Sequence, residues 1–150
     1  MESGRRIFEG RYRMTENRDM IREIVRIIKS NVEVELIYIF GSYGTERYNS
    51  ESDIDIAFSA KKEVSKEVMR KLWYELVENL SQEVDLIDIN NCGLIIKKEI
   101  LLKGRLIFES EMYLSEKMKY KTYSLYGQYL EDVSVVKDKI KERGRILCKK

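Results

Sequence analysis

Two short runs of strand-forming residues constrain the fold of this chain more than any other feature of its sequence. Residues 34–40 (VELIYIF) are almost continuously apolar and end at Gly41, a pattern typical of a buried strand. Residues 53–58 (DIDIAF) alternate between polar and apolar side chains, which predicts a second strand. Because a connection of only 12 residues, 41–52, joins the two runs, we expect both strands in one sheet.

The remaining pattern interleaves helices with strands. Apolar residues at helical spacing predict helices over residues 15–30, 62–80, 94–102 and about 112–143, and residues 83–89 and 105–108 are predicted strands, the last one at a sheet edge. This order predicts an α/β (α+β) fold, in which a small mixed sheet carries helices mainly on one face and leaves the other partly open.

The length of 150 residues fits a single domain. Residues 1–14 are rich in arginine and lack the apolar run of a secretory signal, so we interpret them as a flexible basic arm or a start-site extension. We expect residues 15–150 to form one domain that ends in a helix. No stretch approaches the roughly 20 apolar residues that a membrane span requires, so no membrane association is expected.

Composition removes several classes of chemistry. The sequence contains no histidine, which excludes Ser-His-Asp and Cys-His nucleophilic sites and histidine-based zinc sites. Cys92 and Cys148 form no metal-spaced pair, and a reduced cytoplasmic protein is expected. The net charge of +2 gives no strong case for direct nucleic-acid binding, although the last residues are basic. Any chemistry therefore depends on carboxylates and on the metal that they hold.

Three aspartates form the candidate catalytic and metal site. Asp53 and Asp55 are two residues apart on a predicted strand, so their carboxylates project to the same face while Ile54 enters the core. Asp85 has the same parity in its own strand, whereas Asp88 has the opposite parity and is interpreted as a strand-end or loop contact. Clustered carboxylates suit Mg²⁺, which prefers oxygen ligands, and three of them are enough for two ions. Solvated aspartates on an exposed strand face are the alternative.

A candidate phosphate site precedes these acids. Gly41 permits close approach of a ligand to the backbone, and Ser42 offers a hydroxyl and an N–H group. If Ser42 opens a helix, the free N–H groups of its first turn favour phosphate. A phosphate cradle at the end of one strand beside a metal pair on the next is the arrangement that a nucleoside triphosphate requires.

The pattern of Gly41-Ser42, ten further residues and then Asp53-Ile54-Asp55 resembles the signature of the polymerase-β-like nucleotidyltransferases. The spacing, the small size and the later strand around Asp85 resemble the minimal nucleotidyltransferases, the MNT antitoxins that pair with HEPN toxins. One departure concerns the arginine that this family often carries shortly after Gly-Ser. Thr45 stands there in this chain, and Arg47, two residues on, is the candidate replacement.

The resemblance implies the polymerase-β-like fold, ATP as nucleotide donor and Mg²⁺, with two ions expected. It also implies that AMP is transferred to a tyrosine of a cognate HEPN RNase toxin, which silences that toxin. The implied site residues are Asp53, Asp55 and Asp85 for metal and catalysis, with Gly41, Ser42 and Arg47 for the nucleotide. Two alternatives stay open: a nucleotidyltransferase for small molecules such as aminoglycosides, and an antitoxin that neutralises its partner by binding alone.

Overall fold

A computed structural model describes residues 6–7, 18–40 and 53–148, with side chains over 18–40 and 53–143. The strands are β1 (Arg6–Ile7), β2 (Val34–Phe40), β3 (Ile54–Ala60), β4 (Val84–Asp88) and β5 (Arg105–Glu109). The helices are α1 (Arg18–Asn31), α2 (Lys66–Leu80), α3 (Leu94–Lys103) and α4 (Leu114–Cys148), and a short 3-10 helix covers Ile89–Asn91. The predicted order of helices and strands over residues 18–148 is confirmed.

The strands form one mixed sheet with the order β1-β5-β2-β3-β4. Strands β3 and β4 are parallel, and the other neighbouring pairs are antiparallel. A parallel pair needs a long crossover connection, and α2 supplies it between β3 and β4. The prediction that the strand over 105–108 lies at an edge is wrong, because β5 lies between β1 and β2.

The larger hydrophobic core lies between the sheet and helices α1 and α2. It contains Ile24 and Ile28 of α1, Leu72 and Leu76 of α2, and inward residues of the strands such as Phe58. In α1 the buried residues recur at helical spacing, which explains why one face of this helix packs on the sheet. Most helix-to-sheet packing is therefore on one face, as the sequence predicts.

The second face of the sheet carries a smaller core. Tyr38 and Ala57 of the sheet pack there with Ile100 and Leu101 of α3, and Leu114 at the start of α4 joins them. Helix α3 and the first turns of α4 cover one part of this face, which agrees with the prediction that it is partly open. The three candidate acids have the strand parity of this second face.

Of the N-terminal segment, residues 1–17, the structure describes only residues 6–7. Arg6–Ile7 pairs with β5, so this piece of the predicted basic arm lies along the sheet, and the rest of residues 1–14 is outside the described part. The arm and the single-domain boundary stay predictions. Among the described residues, no helix is both long enough and apolar enough to cross a bilayer.

Candidate active site

The parallel pair β3 and β4 brings two aspartates side by side. In the register of this pair Asp55 lies opposite Asp85, between the pairs Ile54 with Val84 and Ile56 with Leu86. These four apolar residues belong to the core beneath α1 and α2. Since side chains alternate along a strand, Asp55 and Asp85 project from the other face. The predicted common face of these two acids is confirmed by this register.

The carboxyl groups of Asp55 and Asp85 lie side by side across the parallel strand pair and interact with each other. Partial burial, this interaction and the negative charge of Asp53 raise the pKa of Asp55 to about 6, with burial the largest cause. Two ionised carboxylates side by side repel each other, so such a pair requires a shared proton or a cation between the two groups. The pair is therefore a place where positive charge is favoured.

Asp53 lies directly before β3 and is exposed. Its charge is one of the causes that raise the pKa of Asp55, so it lies within electrostatic reach of the pair. The structure thus pairs Asp55 with Asp85, and Asp53 is an exposed acid whose charge acts on Asp55.

Asp88 has a different role, as its parity predicts. Its Oδ1 accepts a hydrogen bond from the backbone N–H of Asn90 at 3.1 Å, and its Oδ2 accepts one from Nδ2 of Asn91 at 2.8 Å. This is the N-cap of the short 3-10 helix that follows β4. Both carboxylate oxygens of Asp88 are thus engaged at the strand end.

Asn90 is a positioning residue that the sequence analysis did not single out. Its Nδ2 donates to the carbonyl of Ala60 at 2.8 Å, and the hydroxyl of Ser59 donates to its Oδ1 at 3.3 Å. Both partners lie at the end of β3, so Asn90 fastens the exit of β4 to β3 and stabilises the register that pairs Asp55 with Asp85. The Asp-Ile-Asn-Asn sequence is a typical Asx-turn signal, but it does not reveal this long-range bond.

The predicted nucleotide-binding residues Gly41, Ser42 and Arg47 lie outside the described residues. What is described is the strand that leads to them. β2 ends at Phe40, which pairs with Asp55 on β3. The chain therefore enters the segment 41–52 from a residue directly beside the acid pair.

The donor chemistry of the pair fits Mg²⁺, which takes hard, negatively charged oxygen ligands. Within residues 18–40 and 53–143, no group of three or more acidic or cysteine side chains is close enough to count as a metal cluster. The contacting donors are thus the two carboxyl groups of Asp55 and Asp85, and the three-acid ligand set stays a prediction.

Comparison with known proteins identifies the fold family. Residues 22–113 match the family model described as polymerase beta, nucleotidyltransferase, a span that contains β2, β3, β4 and the three acids. The chain belongs to the polymerase β nucleotidyltransferase family. The nucleotidyltransferase signature seen in the sequence is thereby confirmed at the level of the family.

This nucleotidyltransferase is also similar to individual proteins. It is 28% identical over 110 residues to the protein adenylyltransferase MntA of Shewanella oneidensis, covering 73% of this chain and 78% of that protein. It matches a crystal structure of a toxin-antitoxin with AMP-PNP at a TM-score of 0.71 and 24% identity, over 80% of this chain and 97% of that one.

A further solved structure is a tri-AMPylated Shewanella oneidensis HEPN toxin in complex with an MNT antitoxin. Its TM-score is 0.67 at 24% identity, over 80% of this chain and 94% of the matched chain. At this level of identity the two structural matches establish the common fold.

Proposed function

We propose that this nucleotidyltransferase is an MNT-type antitoxin that acts as a Mg²⁺-dependent protein adenylyltransferase. Its acceptor is a tyrosine of a cognate HEPN-type RNase toxin, and attachment of AMP neutralises that toxin. The relative MntA, which is named a protein adenylyltransferase, supports the reaction. The matched structures that contain AMP-PNP or an AMPylated HEPN toxin support the donor and the acceptor.

The observation that carries this proposal is the register of β3 and β4, which places Asp55 directly beside Asp85. Burial and the neighbouring carboxylates raise the pKa of Asp55 to about 6, and a structural role alone gives no reason for such a pair. Neighbouring like charges are destabilising unless a cation joins them, whereas a nucleotide-transfer site needs such a cation. Perturbed carboxylates of this kind are typical of active sites.

The predicted site residues would have two roles, metal binding and triphosphate binding. Asp53 and Asp55 would hold Mg²⁺, and Asp85 would complete the site as a further ligand or as the acceptor of the hydroxyl proton. Gly41, Ser42 and Arg47 would bind the triphosphate. Bound Mg²⁺ supplies neutralisation of the phosphate charge, which is the main requirement of phosphoryl-type transfer.

The reaction exchanges one bond to the α-phosphorus for another. The tyrosine oxygen forms the new bond to the α-phosphorus, and the bond from that phosphorus to the oxygen bridging to the β-phosphate breaks. Pyrophosphate leaves, and the phenolic proton passes to a carboxylate or to solvent. The acids Asp53, Asp55 and Asp85 would hold the cation that neutralises the phosphate charge, and the acceptor tyrosine would come from the partner protein.

The test is incubation of the full chain with Mg²⁺, α-labelled ATP and a HEPN-type toxin, followed by mass spectrometry of the toxin. We expect AMP on a tyrosine and loss of the toxin's RNase activity in step with labelling. Neutralisation without any label would support an antitoxin that acts by binding alone. Label on an added aminoglycoside, with none on the toxin, would support the small-molecule alternative.

A further inference from the structure

The second half of α4 carries an apolar stripe at coiled-coil spacing. Tyr126, Tyr129, Val133, Val136 and Ile140 follow one another at alternating intervals of three and four residues, which are the a and d positions of a heptad repeat. We call these five residues the α4 stripe. In the same heptads the b, c and f positions are mainly polar or charged, as expected of the solvent side of a coiled coil.

In the first half of α4, the helix face that leads into the α4 stripe is already covered by other parts of this chain. Ser115 and Thr122, which are seven residues apart, occupy d positions of the same heptad pattern and are buried. Helix α3 packs along this part of α4, and the Nζ atom of Lys98 on α3 lies 4.4 Å from the ring centroid of Tyr126. The cover that α3 provides therefore reaches Tyr126.

Beyond Tyr126 three of the four stripe residues are exposed, and Val133 is partly buried. Tyr129 is 39% exposed, Val136 53% and Ile140 62%. Helix α4 has 35 residues, about 52 Å at 1.5 Å per residue, and so extends well past the 10-residue helix α3. A regular apolar seam of this length on an exposed helix is typical of a surface that packs on another helix.

We propose that the α4 stripe of a second copy of this chain covers it, in an antiparallel two-stranded coiled coil centred between Val133 and Val136. Helix α3 decides the orientation. Helix α3 covers this face of α4 as far as Tyr126. A second α4 that ran parallel and in register would therefore place its own α3 and sheet in the space of the first copy. In the antiparallel arrangement the two nucleotidyltransferase bodies lie at opposite ends, and the apolar seam that they share runs from Tyr129 to Ile140.

The sequence of the helix is complementary to itself in this orientation. Val133 meets Val136 of the second copy, and Tyr129 meets Ile140 of the second copy. The flanking g positions place Asp132 beside Lys139 of the second copy, and the two-fold symmetry repeats this ion pair. Opposite charges thus flank the apolar seam near its centre, along the side that carries the g positions.

The first test is the mass of the full chain in solution by analytical ultracentrifugation between about 5 and 300 μM. We expect a concentration-dependent dimer that Val136→Glu converts to a monomer. Val135→Glu is the matched control, because Val135 is equally exposed at 54% but lies outside the stripe, and this variant should remain dimeric. Circular dichroism checks that both variants stay folded. A monomer across the whole range for the unmodified chain would overturn the proposal and leave a helix of a different protein as the occupant.

Charge reversal tests the orientation. Asp132→Lys should weaken the dimer by about fivefold, since two exposed ion pairs are lost. Adding Lys139→Asp should restore the dimer in the antiparallel arrangement. In a parallel coiled coil Asp132 would face Lys137 instead, so rescue by Lys137→Asp and not by Lys139→Asp would overturn the proposal. These experiments use no nucleotide or toxin, so their outcome is independent of the proposed function.

Discussion

Asp55 on β3 and Asp85 on β4 lie opposite one another in a parallel strand pair, and the neighbouring Asp85 contributes to the raised pKa of Asp55. The hydrophobic core fixes this arrangement, because the residues flanking each aspartate are anchored beneath α1 and α2. The contact is unfavourable when both groups are ionised, and this has consequences for stability, metal binding and catalysis.

In metal-free protein, Asp55→Asn should be stabilising at pH 7.5 and not at pH 4. The pKa of Asp55 is raised from 3.8 to about 6, so the folded state binds this proton more tightly than the unfolded chain does. The stability that this proton contributes is complete below about pH 4 and is lost as the pH rises through 6. Asparagine cannot ionise and keeps a hydrogen-bond donor toward Asp85.

The expected gain is about 1 kcal/mol, after discounting for the partial exposure of Asp55, or about 2–4 °C in Tm. Thermal unfolding in the presence of EDTA, followed by the fluorescence of Trp73, measures it. An equal change in Tm at both pH values would show that the stabilisation by Asp55→Asn does not come from removing the charge repulsion between Asp55 and Asp85.

Binding of Mg²⁺ should weaken as the pH falls through about 6. The cation competes with the proton on Asp55. Binding of Mg²⁺ at pH 6 should therefore release a number of protons equal to the fraction of Asp55 that is protonated in the metal-free protein. Titration calorimetry with Mg²⁺ and a non-hydrolysable ATP analogue, repeated in buffers of different ionisation enthalpy, reports both effects.

We expect Asp53→Asn and Asp55→Asn to reduce the Mg²⁺ affinity by at least about tenfold. Asp88→Asn is the control, since Asp88 caps the 3-10 helix, and equal losses in all three variants would contradict the assignment.

Tyr38→Phe should leave the fold intact and raise its stability. Tyr38 is buried in the smaller core, and its hydroxyl oxygen has no hydrogen-bond partner within the part of the chain that the structure describes. Burial, together with the nearby acid Glu109, raises the pKa of this hydroxyl. Removing a buried hydroxyl without a partner should gain about 1 kcal/mol, measurable by urea denaturation. A loss of more than about 1 kcal/mol would indicate that the hydroxyl is hydrogen-bonded after all.

The sequence predicts the elements and the acid parity well because both follow from local periodicity. Strand β2 has the predicted bounds, and the alternation around Asp55 and Asp85 places both acids on one face. Periodicity does not reveal which strands are neighbours, so the contact between these two acids follows only from the parallel pairing across α2. The same limit explains the misplaced edge strand β5, since its pairing with β1 depends on long-range packing.

The most direct measurement of the central claim compares AMP transfer by the wild type, Asp85→Asn and Asp88→Asn under the same conditions. Asp85 lies beside Asp55, whereas Asp88 accepts hydrogen bonds from the following turn. We predict that Asp85→Asn lowers the rate by at least about 100-fold while the variant stays folded, and that Asp88→Asn loses less than about tenfold. Full activity of Asp85→Asn, or a larger loss in Asp88→Asn, would contradict the assignment of the Asp55 and Asp85 pair as the catalytic centre.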